Sequence, residues 1–198
     1  MTDTIGGITG NGVTSGGLVN RMIRAARLDT NLYEEVEADK DATTQAAIVV
    51  VIVAVCSAIG AALSAVITGS QTGIVGGVIG GLISAIVGWL IWAYVTYFIG
   101  TRMFGGTATP GELLRTIGFA NSPGVLNLLG FIPIVGPLIR LVVFFWLLVA
   151  GVVAVRQALD FDTGKAVITT VIGWLALLII PFILAAIGLG AAAATFGM

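Results

Sequence analysis

Apolar and polar positions divide the chain into three zones. Residues 1–15, MTDTIGGITGNGVTS, carry no periodic apolar pattern, and their Gly/Thr/Asn-rich composition predicts a disordered tail. Residues 16–45 follow a helical period. In LVNRMIRAARL, residues 18–28, a rotation of about 100° per residue gathers Leu18, Val19, Met22, Ile23 and Ala26 on one side and Arg21, Arg24 and Arg27 on the other. Such a helix suits an anionic membrane surface or the cytoplasmic end of a helix bundle. In DTNLYEEVEADKD, residues 29–41, Asn31 and Glu34 have the spacing of a capping box, and Glu34, Glu35, Glu37, Asp39 and Asp41 form an acidic, solvated face. From residue 46 the periodicity gives way to long apolar runs over 46–67, 74–100, 111–135, 138–159 and 166–192. A run of about 20 apolar residues crosses a bilayer as a helix. The pattern therefore predicts an all-α membrane bundle of five transmembrane helices, with an amphipathic N-terminal helix.

The third run differs from the others. Thr109-Pro110-Gly111-Glu112 has the form of a helix start: Thr109 as N-cap, proline at the first helical position, glutamate at the third. Arg115 follows Glu112 by three residues, close enough to pair with it, and is expected to snorkel to the interface. Asn121-Ser122-Pro123-Gly124 predicts a break midway, because proline removes a backbone hydrogen bond. Asn121, Ser122 and Asn127 are the candidates to satisfy the freed backbone groups, which lipid cannot do. Broken helices of this kind often line a binding site or a water-filled cavity. Arg140 opens the fourth run with no acid near it in sequence, so it too is expected to snorkel.

The second run carries two stripes of small residues: Gly73, Gly77, Gly81 and Ala85, and beside them Gly76, Gly80, Ser84 and Gly88. Small residues let helices approach closely in lipid, so this face is expected to pack on a neighbouring span or on a second copy in a homo-oligomer. Gly88-Trp89-Leu90 recurs as Gly173-Trp174-Leu175, a weak hint of an internal repeat.

Composition sharpens the class. Of 198 residues, 58% are hydrophobic and 10% charged, against about 25% charged in a soluble domain. The net charge of −1 offers no basic footprint for nucleic acid. Cys56 is the single cysteine and there is no histidine, so neither a disulfide nor the usual near-neutral general base is available within the chain. Asp160 and Asp162 in ALDFDTGKA lack the further ligands of a calcium loop and read as a capped turn between helices. Gly164-Lys165 lacks the rest of a phosphate-binding loop. No catalytic constellation, metal site or cofactor motif is expected. Arg21, Arg24, Arg27, Lys40, Arg102, Arg156 and Lys165 all fall on one side of a five-span chain, with Arg115 just inside that face and Arg140 alone near the other. That asymmetry predicts a cytoplasmic N-terminus and an external C-terminus.

Three stretches carry a resemblance: MIRAARLDTNLYEEVEAD (22–39), WLIWAYVTYFIGTRMFGGTATPGELLRTIGFANSPGVL (89–126) and VAVRQALDFDTGKAVITTVIGW (153–174). They resemble the Yip family, the Ypt/Rab-interacting-protein class of five-span membrane proteins, in its short prokaryotic form. The resemblance implies a cytoplasmic N-terminus, five spans and, for a prokaryotic member, a place in the cell membrane. Eukaryotic members are associated with Rab GTPases and vesicle trafficking. The function expected is that of a non-enzymatic scaffold or adaptor, organising partner proteins or membrane shape from the cytoplasmic face. The alternative is a small-solute or ion transporter or channel built on the broken third span, which would need polar groups converging at mid-depth from several spans.

Overall fold

The computed structural model describes residues 17–69, 74–177 and 179. The predicted tail, Gly73 and the last predicted span beyond residue 177, apart from Ile179, lie outside them. Seven α-helices and one 3-10 segment make up the described part: α1 Leu18–Ala26, α2 Thr30–Ala38, α3 Ala42–Ile67, α4 Ile74–Met103, α5 Pro110–Ala120, the 3-10 segment Ser122–Phe131, α6 Val135–Ala158 and α7 Thr163–Leu177. Three of these helices, α3, α4 and α6, are long and apolar enough to cross a membrane; α7 is a shorter apolar helix.

The third apolar run is divided in two. Its α-helix ends at Asn121, and Pro123 stands in the first turn of the 3-10 segment. Pro123 has no N–H to offer the preceding turn, so the carbonyls there need other donors. Asn121 Nδ2 donates to Ile117 O at 2.8 Å, and Ser122 Oγ donates to Phe119 O at 2.6 Å. The side chains that interrupt the helix thus also satisfy it.

α5 is the central element. It packs against α1, α2, α3, α4 and α6, and Leu113, Thr116, Ile117 and Phe119 are buried in it. α3 runs along both α5 and the 3-10 segment, and glycines permit the approach: a Cβ on Gly118 would stand 2.6 Å from Ala46 Cβ, and one on Gly60 would strike the Asn127 carbonyl. α5 begins beside Asp160, just past the end of α6, while the 3-10 segment ends against Gly136 and Arg140 near the beginning of α6. The segment from 110 to 131 therefore runs between the two ends of α6.

Burial is uneven along the bundle. The buried cluster gathers where α1 and α2 close over α5, with Leu32, Tyr33 and Val36 of α2 against Ala42, Ala46, Leu113 and Ile117. Away from that end α3, α4 and α6 expose apolar side chains such as Ile59, Ile79 and Leu138, as expected of surfaces that face lipid.

Candidate functional site

α1 and α2 form a folded layer over one end of the helix bundle. The chain reverses between them at Leu28, whose φ of 61° lies in the left-handed region. Asp29 caps α2 by accepting from Asn31 N at 3.0 Å. The cap is thus two residues earlier than the predicted box at Asn31 and Glu34, because the helix already starts at Thr30.

Ion pairs hold the layer together. Arg21 is only 2% exposed, and its guanidinium meets Glu35 and Asp39 of α2 at 2.8 and 3.0 Å and donates to Gln45 of α3 at 2.9 Å. Arg24 bridges Asp29 and Glu35 at 2.8 and 2.7 Å. The predicted basic face therefore does not present three free arginines to lipid headgroups: Arg21 and Arg24 are consumed by the acids of α2, and Arg27 stays exposed. The predicted acidic face is correspondingly not a solvated one throughout. The apolar stripe splits as well. Leu18 and Met22 pack on the core, whereas Val19 is 68% and Ile23 46% exposed. Trp146 of α6 pins the end of α1 by donating its indole N–H to Ala26 O at 2.8 Å.

These pairs also set the electrostatics. Burial works to raise the Glu35 carboxyl, but hydrogen bonds from Arg24 and Arg21 overcome it and hold the group below the usual range. Asp29 is lowered chiefly by its hydrogen bond from Arg24. The Tyr33 phenol is pushed up by burial, and its O–H donates to Ala25 O at 3.1 Å.

Arg115 occupies a place the sequence did not reveal. It is 6% exposed, so it does not snorkel to the interface, and it forms no ion pair with Glu112. Its Nε donates to Val36 O at 2.9 Å and its Nη2 to Glu37 O. Those carbonyls belong to the last turn of α2, where no intrahelical N–H remains to satisfy them. Glu112 is engaged locally: its carboxylate accepts from Thr109 N at 2.8 Å while Thr109 Oγ1 accepts from Glu112 N at 3.3 Å, a complete capping box. Further along, Asn121 and Pro123 stand at the α-to-3-10 junction, and Asn127 is half-buried with its backbone carbonyl against Gly60. Arg140 is exposed and donates to Gly130 O at 3.0 Å, so it secures the end of the 3-10 segment. The structure thus brings Glu112 and Arg115 under α2, but leaves Arg140 at the other end of the bundle.

Glu34, Glu37, Glu112 and Asp160 line a small cavity on this layer, of about 240 Å³. Burial, then the neighbouring carboxylates of Glu112, Asp160 and Glu34, push the Glu37 carboxyl up to about 7, against a smaller opposing pull from Arg115. A carboxyl raised on folding binds more protons folded than unfolded, between its unfolded value near 4.5 and its folded value near 7. Its contribution to stability is therefore fully present below pH 4.5 and is lost as pH rises through 7. Thermal unfolding between pH 5 and 8 should show this decline, and Glu37→Gln should flatten it and raise the melting temperature at pH 8. An unchanged slope in the variant would assign the decline elsewhere.

Asp162 Oδ1 accepts from Lys165 N at 3.0 Å, capping α7, and Asp160 Oδ2 accepts from Thr107 Oγ1 at 3.0 Å. Both aspartates thus serve the turn between α6 and α7. The described glycines of the α4 stripes make no close approach to a neighbouring span among the described residues, since a Cβ at Gly76, Gly77, Gly80, Gly81 or Gly88 would meet no atom within 4 Å, whereas Ala85 packs against the buried core. Glycines elsewhere make the close approaches, including Gly118 on Ala46 and Gly151 on Trp92. Stripe periodicity shows which side of α4 is smooth but not what lies against it.

No curated protein and no solved structure is found to match the chain. The family model of the Yip1 domain matches residues 30–193, from the start of α2 through the whole described bundle, and the chain belongs to the Yip family of multi-pass membrane proteins.

Proposed function

We propose that this protein is a non-enzymatic membrane scaffold that presents the α1–α2 layer to partner proteins on the cytoplasmic side. The observation that carries the reading is the locking of that layer. Arg21, Arg24 and Arg115 tie α1 and α2 to each other and to the bundle, so the surface is formed before a partner arrives. A preorganised surface avoids the ordering cost of binding. Val19, Ile23 and Arg27 remain exposed on α1, available to a partner or to the membrane surface.

The chain crosses the membrane five times in this reading, with α5 and the 3-10 segment together forming the third span. Their combined rise of about 36 Å is enough for the hydrocarbon core, and their contacts at opposite ends of α6 support a full crossing. The excess of Lys and Arg at the α1–α2 end supports a cytoplasmic N-terminus and, with five crossings, an external C-terminus, in a chain proposed to sit in a prokaryotic cell membrane. A transporter built on Glu112 and Arg115 has less support, since one closes a capping box and the other caps α2.

The test is purification of the tagged protein from native membranes in mild detergent, with identification of proteins recovered in stoichiometric amount. A defined partner that is lost from a folded Val19→Ser, Ile23→Ser variant supports the scaffold. Recovery of the protein alone, together with solute flux in proteoliposomes that Asn121→Leu abolishes, would replace it with the transporter.

A further inference from the structure

Where the third apolar run changes from α5 to the 3-10 segment, the bundle is not filled. A 3-10 helix is wound more tightly than an α-helix, and beside it lies an open groove of about 440 Å³. That size is within the range of roughly 300–1,000 Å³ typical of small-molecule sites. Pro123 and Val125 of the 3-10 segment line it together with Ile23 and Ala26 of α1, Ile52 of α3 and Trp146 of α6.

The groove offers an occupant no side-chain hydrogen bond. Its two lining side chains with a polar donor are both engaged: Ser122 Oγ donates to Phe119 O, and the Trp146 indole N–H donates to Ala26 O. The other lining side chains are apolar. A polar group entering would lose its water without gaining a side-chain partner, so the occupant inside is hydrocarbon. The rim is different. Arg21 and Arg24 are paired with acids, whereas Arg27 is exposed and forms no ion pair among the described residues. Arg27 directly follows Ala26 and lies one helical turn beyond Ile23, which places it at the edge of the groove. An apolar slot with an uncompensated cation at its rim matches an amphiphile with a hydrocarbon tail and an anionic head.

Depth identifies the amphiphile. About 20 helical residues cross the hydrocarbon core, and counted back from Ile67 on α3 they reach Ile48. Ile52 lies about one turn further in, so the groove opens where acyl chains begin, on the α1–α2 side. Leu126, which also lines it, is 39% exposed on the surface that faces lipid. A water-soluble ligand has no apolar route to that depth. A crossing helix of a second copy, about 10 Å across and 30 Å long, is too large to enter. A basic side chain beside the membrane surface selects anionic lipid.

We infer that this groove binds an anionic phospholipid from the leaflet on the α1–α2 side, one acyl chain seated between α1 and the 3-10 segment and the anionic headgroup against Arg27. The site needs only the membrane location of the chain, not a protein partner. The test titrates the intact protein in mild detergent with phosphatidylglycerol or with phosphatidylcholine of the same chains, and counts bound lipid by native mass spectrometry. Both lipids carry the phosphate, but only phosphatidylglycerol keeps a net negative charge. It should bind about fivefold more tightly, as expected of one arginine at an anionic surface. Arg27→Gln should bring it to the phosphatidylcholine level, with little effect on phosphatidylcholine itself. Val125→Trp, and independently Ile23→Trp, each folded by its melting temperature, should fill the groove and cut binding of both lipids. Phosphatidylglycerol with brominated chains should quench the part of the fluorescence that Trp146→Phe removes. Equal binding of the two lipids would overturn the inference, as would a preference that survives in Arg27→Gln. So would full binding in the folded groove variants, Trp146 emission untouched by brominated chains, or a dimer abolished by Val125→Trp in place of any bound lipid.

Discussion

Arg115→Leu should destabilise the protein by about 3 kcal/mol, the largest effect expected of any single substitution in the α1–α2 layer. The side chain is 6% exposed and donates to Val36 O and Glu37 O, with Thr43 Oγ1 at 3.5 Å. Hydrogen bonds from a charged donor contribute about 1.5–3 kcal/mol each. The positive charge also faces the end of α2, where the helix dipole is negative. Leucine would fill much of the volume and leave both carbonyls without a donor. Arg115→Lys keeps the charge but lacks the planar fork that reaches two carbonyls, so it should fall between the two. Thermal unfolding in detergent reads the total, and hydrogen exchange across residues 30–38 reads its origin. Amides of α2 that exchange no faster in Arg115→Leu would refute the capping role.

Arg21→Met should cost about 2 kcal/mol and act on the layer before the bundle. Arg21 is the buried partner, while Glu35 and Asp39 keep about a third of their side-chain surface in solvent. Loss of the cation leaves Asp39 without its partner and Glu35 with Arg24 alone, and water partly relieves both, so the cost falls below the ~3–5 kcal/mol of a fully buried pair. Proteolysis within residues 17–41 should accelerate while the bundle keeps its protection. Glu35→Gln in the Arg21→Met background should cost less than the sum of the two single changes, because the two residues share one network. Strict additivity would mean that Arg21 and Glu35 do not communicate in solution. Added salt should weaken the half-buried Arg24–Asp29 contact more than the pairs of Arg21, whose cation is almost wholly buried.

Interactions closed within one or two helical turns were legible in the residues themselves. Thr109, Pro110 and Glu112 form the capping box that their spacing indicates, and the apolar runs mark α3, α4 and α6 to within a few residues at most ends. Each depends on neighbours three or four positions away, or on a local average of hydropathy, and neither needs knowledge of how the chain turns. The pairing of charges was not legible. Arg21, Arg24 and Arg27 recur on one side of a helix, and that spacing predicts a basic face; it does not show that the reversal at Leu28 lays α2 against that face.

By itself the sequence determined the all-helical membrane class, the helix start at Thr109 and the positions of the long apolar helices, because hydropathy and capping are local properties. Tertiary structure alone decided the rest. Arg115 finds its carbonyl acceptors 79 and 78 residues away, Arg21 finds acids on the next helix, and Trp146 of α6 finds the Ala26 carbonyl at the end of α1. The physical reason is the same in each case. A buried donor takes whichever acceptor the folded chain brings within about 3 Å, and that choice is made by the path of the backbone between them.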